Sequence, residues 1–285
     1  MKQFLTPGVR YMLLATLFFA LMKVCVKAIS HIPAIEIIFF RAIISLGISM
    51  YLLQRQKVSF WGVNKPILVA RGVTGAIALI LYFYLLHQIP LATAATLQYL
   101  APIFTTILGV FIVNEKVRRW QWLFFAISFA GVIVVQGFDV RISYVHLIIG
   151  LATSFFMGLA YNFVRKLNTT EHPLVIILYF PLVLLPIGAI WSYFVWVQPV
   201  GTDWLFLIAV GILTQIAQFF MTKSYQSEEL SKVSILNYVG LLYALAFGFL
   251  FFGETFNALT YLGMFLVIAG VVGNVLFKQF AKPGS

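Results

Sequence analysis

The sequence has few charged residues and almost none that are acidic. Asp and Glu account for only 8 of its 285 residues, and charged residues of both signs for 9%. Soluble globular domains carry about 25% charged residues. Because 62% of the residues are also hydrophobic, the composition excludes a soluble globular domain. It predicts an integral membrane protein.

Several functional motifs are missing as well. The sequence contains no GxxxxGK[ST] phosphate-binding loop, which argues against a built-in ATPase. Its single cysteine, Cys25, can form no internal disulfide and is interpreted as a packing residue. The histidines lack metal-ligand spacing, and both aspartates, Asp139 and Asp203, fall in predicted loops. We therefore expect no catalytic residue, metal or cofactor, and an integral-membrane enzyme is disfavoured.

Long apolar runs divide the chain into ten predicted spans. A bilayer core takes about 20 apolar residues per helix. Short polar breaks separate such runs at roughly 8–29, 33–53, 66–87, 90–113, 118–137, 143–166, 173–197, 203–223, 230–252 and 256–278. No loop is long enough to fold separately. Residues 1–285 are therefore predicted to form a single all-α transmembrane domain.

Positive charge is concentrated on one side of the predicted membrane. With the N-terminus in the cytoplasm, the outer loops hold only Arg141. The cytoplasmic side holds Lys2, Arg10, Arg55, Lys57, Lys65, Arg71, Lys116, Arg118, Arg119, Arg165, Lys166, Lys223, Lys232, Lys278 and Lys282. Cytoplasmic loops of membrane proteins carry this excess. We predict a multi-pass protein of the bacterial cytoplasmic (inner) membrane with both termini in the cytoplasm, and no nucleic-acid partner.

One long segment of the sequence occurs twice in similar form. Residues 97–116 read LQYLAPIFTTILGVFIVNEK and residues 236–255 read LNYVGLLYALAFGFLFFGET, which align without a gap at a spacing of 139 positions. The similarity extends through a first repeat at about 8–137 and a second at about 143–278. Each repeat holds five spans, and because five is odd, the second repeat is predicted to be inverted. Inverted repeats are typical of secondary transporters that work by alternating access.

Three further stretches carry a resemblance to a known family. They are EIIFFR at 36–41, ARGVTGAIALILYFYLLHQIPLATAATLQYLAPIF at 70–104, and the repeated ending G-x5-E followed by a distant A-G-V. These resemble EamA-type members of the drug/metabolite transporter superfamily, over nearly the whole chain. The resemblance implies ten helices around a central cavity that moves a small metabolite, with proton coupling or exchange. A channel-like uniporter without a coupling ion is the alternative.

Polar residues within the spans are candidates for contact with a substrate. Spans 3, 4, 8 and 9, with parts of 1, 2, 6 and 7, are expected to enclose the cavity, while spans 5 and 10 lie outside. Two roles fit these side chains, interhelical hydrogen bonding and substrate binding, because buried amides and phenols need partners. The candidates are Gln98, Tyr99, Tyr161, Asn162, Gln215, Gln218, Asn237 and Tyr238.

Four ionisable residues lie on the first two spans, where charge is costly and often functional. Counted from the intervening turn, Lys27 and Glu36 share one depth in the membrane, and Lys23 and Arg41 share another. Lys27 and Glu36 are predicted to form a structural pair or a gate. Lys23 and Arg41 are left without a carboxylate and are predicted to bind an anionic or zwitterionic substrate. In the alternative, Lys23 snorkels to the interface.

Small residues and a proline mark spans 4 and 9. Gly109 and Gly248 are repeat-related members of small-residue stripes, which allow close helix packing in lipid or line a cavity. Pro102 lies inside predicted span 4 and is expected to kink it as a hinge. Glu115 and Glu254 follow the two spans, and either cap the next helix through its dipole or take part in gating.

The predicted topology has a direct test. A reporter that is active only in the cytoplasm, fused after Ser285, should give full activity, because the positive-inside rule places the C-terminus there. The same reporter inserted at Asp139 should stay silent. The opposite pattern would invert the topology.

Overall fold

The fold is all-helical. The computed structural model describes residues 6–89, 94, 97–136, 143–253 and 257–280, and within these ranges every regular element is a helix. The first eight helices are α1 (Pro7–Ala28), α2 (Ala34–Arg55), α3 (Lys65–Gln88), α4 (Ala101–Ile112), α5 (Arg119–Gln136), α6 (Tyr144–Lys166), α7 (Pro173–Val195) and α8 (Asp203–Ser227). The last two are α9, which joins Leu230–Val233, a 3₁₀ segment Ser234–Tyr238 and Val239–Phe252, and α10 (Ala258–Phe280).

This architecture confirms the predicted ten-helix membrane fold. Over the described residues, eight helices have the length and hydropathy to cross a membrane, and α4 and α5 are shorter apolar helices. Proline occupies the first turn of α1, α3, α4 and α7, where its missing N–H breaks no helical hydrogen bond. Gly253 ends α9 in the left-handed conformation, a common helix stop.

Helices α4 and α9 are interrupted at repeat-related positions. Residues 99–100 form a turn directly before α4, and Ser234–Tyr238 is a 3₁₀ segment directly before the main part of α9. Predicted span 4 is therefore not one continuous helix, and its residues 90–93, 95 and 96 lie outside the described part of the chain. Pro102 stands in the first turn of α4, after the interruption, and does not kink a helix from within.

The helix contacts repeat under exchange of the two halves. The contact of α1 with α8 corresponds to that of α6 with α3. In the same way, α2 with α8 corresponds to α7 with α3, and α1 with α9 corresponds to α6 with α4. The pairs α2 with α7 and α5 with α10 map onto themselves. The fold therefore consists of two five-helix repeats with matching contacts.

Helices α5 and α10 make their main contacts with each other, at the edge position that the sequence predicts for spans 5 and 10. Repeat-related glycines form the contact. A Cβ added at Gly131 would lie 2.7 Å from the Gly263 carbonyl oxygen, and one at Gly270 would lie 2.7 Å from the Phe124 carbonyl oxygen. Backbone cannot move aside as a side chain can, so these positions require glycine.

We predict that Gly131→Val or Gly270→Val destabilises the protein, since overpacking of this kind costs about 1–3 kcal/mol. The melting temperature in detergent should fall for both variants. Gly47→Val on α2 is the matched control, because nothing lies within 4 Å of a Cβ added there. Equal melting temperatures for all three variants would contradict this close packing.

Candidate functional site

A small pocket lies between α2, α7 and α8. The space that the centre of a water molecule can reach within it is about 10 Å³, room for about one water molecule and far less than small-molecule pockets offer. Spans 2 and 7 contribute more to it than the sequence predicts, and among the described residues none from spans 3, 4 or 9 lines this pocket. The residues that give it its chemical character are Arg41, Ser45, Phe180, Thr214 and Gln218.

The polar groups of this pocket are rich in hydrogen-bond donors. Arg41 brings a guanidinium with five N–H donors. The Thr214 hydroxyl is buried and has no hydrogen-bond partner among the described residues. Gln218 brings an amide. In the described part of the chain, no carboxylate lines the pocket, so it is suited to a ligand that accepts hydrogen bonds.

The second sequence-predicted glutamine stands beside the pocket. Gln215 accepts a hydrogen bond from the Ser45 hydroxyl and donates one of 2.8 Å to the Ser49 hydroxyl. These contacts join α8 to α2 and satisfy the amide. Gln215 therefore positions Ser45, which lines the pocket.

Two arginines share one aromatic ring. The guanidinium carbon of Arg41 lies 5.8 Å from the centroid of the Phe180 ring, and that of Arg71 lies 5.0 Å from it. Arg71 is 2% exposed and donates from Nη2 to the Gln218 Oε1 at 3.4 Å. The structure thus places Arg71 against the same aromatic ring as Arg41.

Sequence reasoning missed Arg71 because it counted the residue among the cytoplasmic charges. The sequence feature that indicates an inward-facing Arg71 is Gly75, one helical turn further along α3. A Cβ at Gly75 would lie 2.7 Å from the Arg71 Nη1 and 2.9 Å from the Phe180 ring. The missing side chain at this position leaves room for the guanidinium to turn inward.

Lys23 lies apart from this pocket. It is exposed on α1 and is not among the pocket-lining residues. Ala20 and Thr16, about one and two turns earlier on the same face, are buried, and Thr16 faces Gly240 of α9. A shared patch of Lys23 and Arg41 stays a prediction.

Glu36 binds a backbone N–H of the loop between α7 and α8, and its predicted pairing with Lys27 stays a prediction. Its side chain is fully buried, and Oε2 accepts a 3.0 Å hydrogen bond from the Val197 N–H, while Oε1 has no partner among the described residues. Nearby, Asp203 Oδ2 accepts from the Val200 N–H at 2.9 Å and lies 3.1 Å from the His31 Nε2. Two carboxylates thus hold the loop between α7 and α8 at one end of the bundle.

Tyrosines meet where α4 and α9 are interrupted. The rings of Tyr99 and Tyr238 lie 5.9 Å apart, and those of Tyr161 and Tyr225 stack at 4.8 Å. Asn237 donates to the Tyr225 hydroxyl at 3.0 Å. The structure therefore brings four of the predicted polar residues into one cluster, separate from the pocket lining.

The two remaining polar candidates join helices. Asn162 donates to the carbonyl oxygens of Thr105 at 3.0 Å and Gly158 at 2.9 Å. Gln98 is half-buried, and its backbone carbonyl accepts from the Ser154 hydroxyl at 3.4 Å. The contacts of Asn162 with Thr105 and of Gln98 with Ser154 link the α4 region to α6.

The small residues are packing positions. A Cβ at Gly158 would lie 2.8 Å from the Thr105 nitrogen, and one at Gly109 would lie 3.0 Å from the Leu230 side chain and 3.6 Å from the Asn162 Oδ1. Gly248 is buried in α9. The stripe on α4 thus allows the close approach of α6 and α9 that small residues permit in membrane proteins.

Glu115 ties four helices at the predicted cytoplasmic end. Its Oε1 pairs with the Arg165 Nε at 3.0 Å, and its Oε2 accepts from the Leu230 N–H at 2.7 Å. Arg165 also donates to the carbonyl oxygen of Gln226 at 3.0 Å. Glu115 therefore caps the start of α9 rather than the next helix, α5. Its repeat counterpart, Glu254, lies outside the described residues.

Family comparison agrees with this architecture. The EamA-like transporter family matches residues 6–136 and again residues 145–276, which are the two five-helix repeats. The chain belongs to the EamA-like transporter family. It is a multi-pass membrane transporter and not an enzyme.

Similar proteins include transporters from bacteria and animals. The Pseudopaline exporter CntI of Pseudomonas aeruginosa (strain UCBPP-PA14) is 32% identical over 94% of this chain and 95% of its own length. Solute carrier family 35 member G1 of Mus musculus is 28% identical over 93% of this chain and 77% of its own. A solved structure titled "Crystal structure of protein" superposes with a TM-score of 0.85 at 17% identity, covering 96% of this chain and 99% of that one, which supports the fold alone.

We predict that Glu115→Ala loosens the predicted cytoplasmic end of this transporter, since it removes both the ion pair with Arg165 and the cap on α9. A cysteine placed at the buried Thr105, in a Cys25→Ser background, should then react several-fold faster with a membrane-impermeant maleimide added from that side.

Asp203→Asn is the matched control, because it weakens an ion pair at the opposite end and should leave this rate unchanged. Equal rates with and without Glu115→Ala would show that the ion pair does not close this end.

Proposed function

We propose that this protein is a secondary transporter that moves a small anionic or zwitterionic metabolite across the cytoplasmic membrane, with Arg41 as the binding group. One observation carries the proposal. Arg41 lines the pocket, and within the described residues it has no hydrogen bond or ion pair, only the contact with the Phe180 ring. Its donors are therefore available to a ligand.

Charge energetics favour an anionic ligand. Removing a charged group from water costs several kcal/mol even after the protein relaxes, and contact with an aromatic ring returns about 2 kcal/mol when desolvated. A carboxylate or phosphate would offset the remainder through paired N–H bonds, which the planar guanidinium is shaped to make. The unpartnered Thr214 hydroxyl can add a further donor.

Alternating access is the mechanism that the repeats support. The matching contacts of the two halves agree with inverted repeats that rock about a shared site, in one transmembrane domain with both termini in the cytoplasm. The pocket is smaller than a typical metabolite site, so this conformation is closed around it. Carboxylate contacts hold both ends, Glu115 with Arg165 at one and Glu36 with Val197 at the other.

In the same proposal, substrate transport is coupled to proton movement or proceeds by exchange. Glu36 is the candidate proton carrier, because its carboxyl group is fully buried on a membrane helix with one oxygen unpartnered among the described residues. Protonation would weaken its acceptance of the Val197 N–H and release the loop between α7 and α8. Buried ionisable residues in membrane helices often serve in proton relays.

The test is a thermal-shift screen of metabolites on purified protein. A ligand at 100 times its Kd stabilises the folded state by about 2.7 kcal/mol, so anionic or zwitterionic compounds should raise the melting temperature. Arg41→Gln should weaken binding of the best compound by about 10–100-fold, because a hydrogen bond to a charged group contributes about 1.5–3 kcal/mol. Arg41→Lys should retain part of the affinity for this compound.

Arg55→Gln is the matched control, since Arg55 is an exposed arginine at the end of the same helix and should bind normally. Unchanged affinity in Arg41→Gln, or a ligand that is purely cationic, would overturn the proposed role of Arg41.

A further inference from the structure

We propose that Arg71 is a second anion-binding group, so that the pocket receives a substrate with two anionic groups, such as a dicarboxylate. This inference rests on the function proposed above and adds the class of substrate. It concerns the side of Phe180 that faces α3.

The geometry places both cations on one small site. Both guanidinium carbons lie within 5.8 Å of the centroid of the Phe180 ring. Gln218 lines the pocket and also accepts the hydrogen bond from Arg71. The guanidinium of Arg71 therefore lies directly behind the wall that Phe180 and Gln218 form.

Arg71 is poorly satisfied where it lies. Its hydrogen bond to Gln218 is long, at 3.4 Å, and its Nε has no partner among the described residues. The ion pairs recorded for the described ranges include none with Arg71. Burying such a charge costs several kcal/mol, and one long hydrogen bond to a neutral oxygen with one aromatic contact leaves most of its five N–H donors available to a further partner.

The surrounding residues keep space for this guanidinium. Any Cβ at position 75 would press on the Arg71 Nη1 and on the Phe180 ring. An arginine whose only role was to set the orientation of the protein in the membrane would instead extend toward the membrane surface, where water solvates it. Arg71 is turned inward, toward the pocket shared with Arg41.

Binding of a dianion follows from these contacts. The first anionic group takes the available donors of Arg41 and Thr214. The second replaces the Gln218 Oε1 on Arg71, exchanging a long hydrogen bond to a neutral oxygen for one to an ionised oxygen. The freed Gln218 amide stays at the pocket wall as a further donor. One substrate thereby neutralises both arginines.

The test compares succinate, glutarate and adipate with butyrate, by thermal shift at constant ionic strength. For the wild type, the dicarboxylate of best length should stabilise the protein at a concentration at least about tenfold lower than butyrate, which corresponds to about 1.4 kcal/mol. Arg71→Gln should abolish this preference, because it weakens the response to the dicarboxylates more than the response to butyrate. Arg41→Gln should weaken the response to both classes of ligand.

Arg71→Lys keeps the charge and should preserve part of the preference, which separates ligand binding from a structural role of the side chain. Equal stabilisation by butyrate and every dicarboxylate, or a preference that survives in Arg71→Gln, would overturn this inference and leave the proposed function intact. Stabilisation by none of the four compounds would overturn this inference, whereas the proposed function is overturned only by the Arg41 outcomes given above. If Arg71→Gln does not fold, the wild-type comparison and Arg71→Lys decide.

Discussion

Uncompensated positive charge in the middle of the bundle is the constraint on which the rest of the structure depends. Arg41 and Arg71 share the Phe180 ring, and neither forms an ion pair within the described part of the chain. Their helices, α2 and α3, come from the first repeat, while α7 and α8, from the second repeat, supply Phe180 and Gln218. The two halves therefore meet at the charged site, as alternating access requires.

The few acidic residues explain why the site stays positive. Glu36, Glu171 and Asp203 accept backbone N–H groups of loops at the ends of the bundle, and Glu115 accepts that of Leu230. Glu171, which is 7% exposed, holds Val63 and Asn64 between α2 and α3, as Glu36 holds Val197 between α7 and α8. The described carboxylates thus close the ends of the bundle and leave the middle to a ligand.

The sequence predicts the fold better than the site. The number of spans follows from the lengths of the apolar runs, and the duplication follows from identical residues at a constant spacing. Both can be read from a single sequence. Arg71 was assigned to the cytoplasmic side because distance from a helix end indicates depth, whereas the direction of a side chain depends on packing between helices. The grouping of Lys23 with Arg41 rests on depth alone, and of the two only Arg41 lines the pocket.

The interruptions in α4 and α9 were also hidden from the sequence. Tyr99 and Tyr238 lie in apolar runs long enough to span the membrane as continuous helices, and hydropathy does not register a turn. The two rings meet across the repeats at 5.9 Å, at the interruption itself. Pro102 begins a helix and has no counterpart in α9, so the interruption common to both repeats does not depend on this proline.

The most direct test of the account is counterflow in proteoliposomes, with the labelled anion that best stabilises the protein. The account predicts uptake that saturates, that is accelerated by unlabelled ligand inside the vesicles, and that is lost in Arg41→Gln but not in Arg55→Gln. Flux that rises without saturation and ignores the internal ligand would indicate a pore, and full exchange by Arg41→Gln would contradict binding at Arg41.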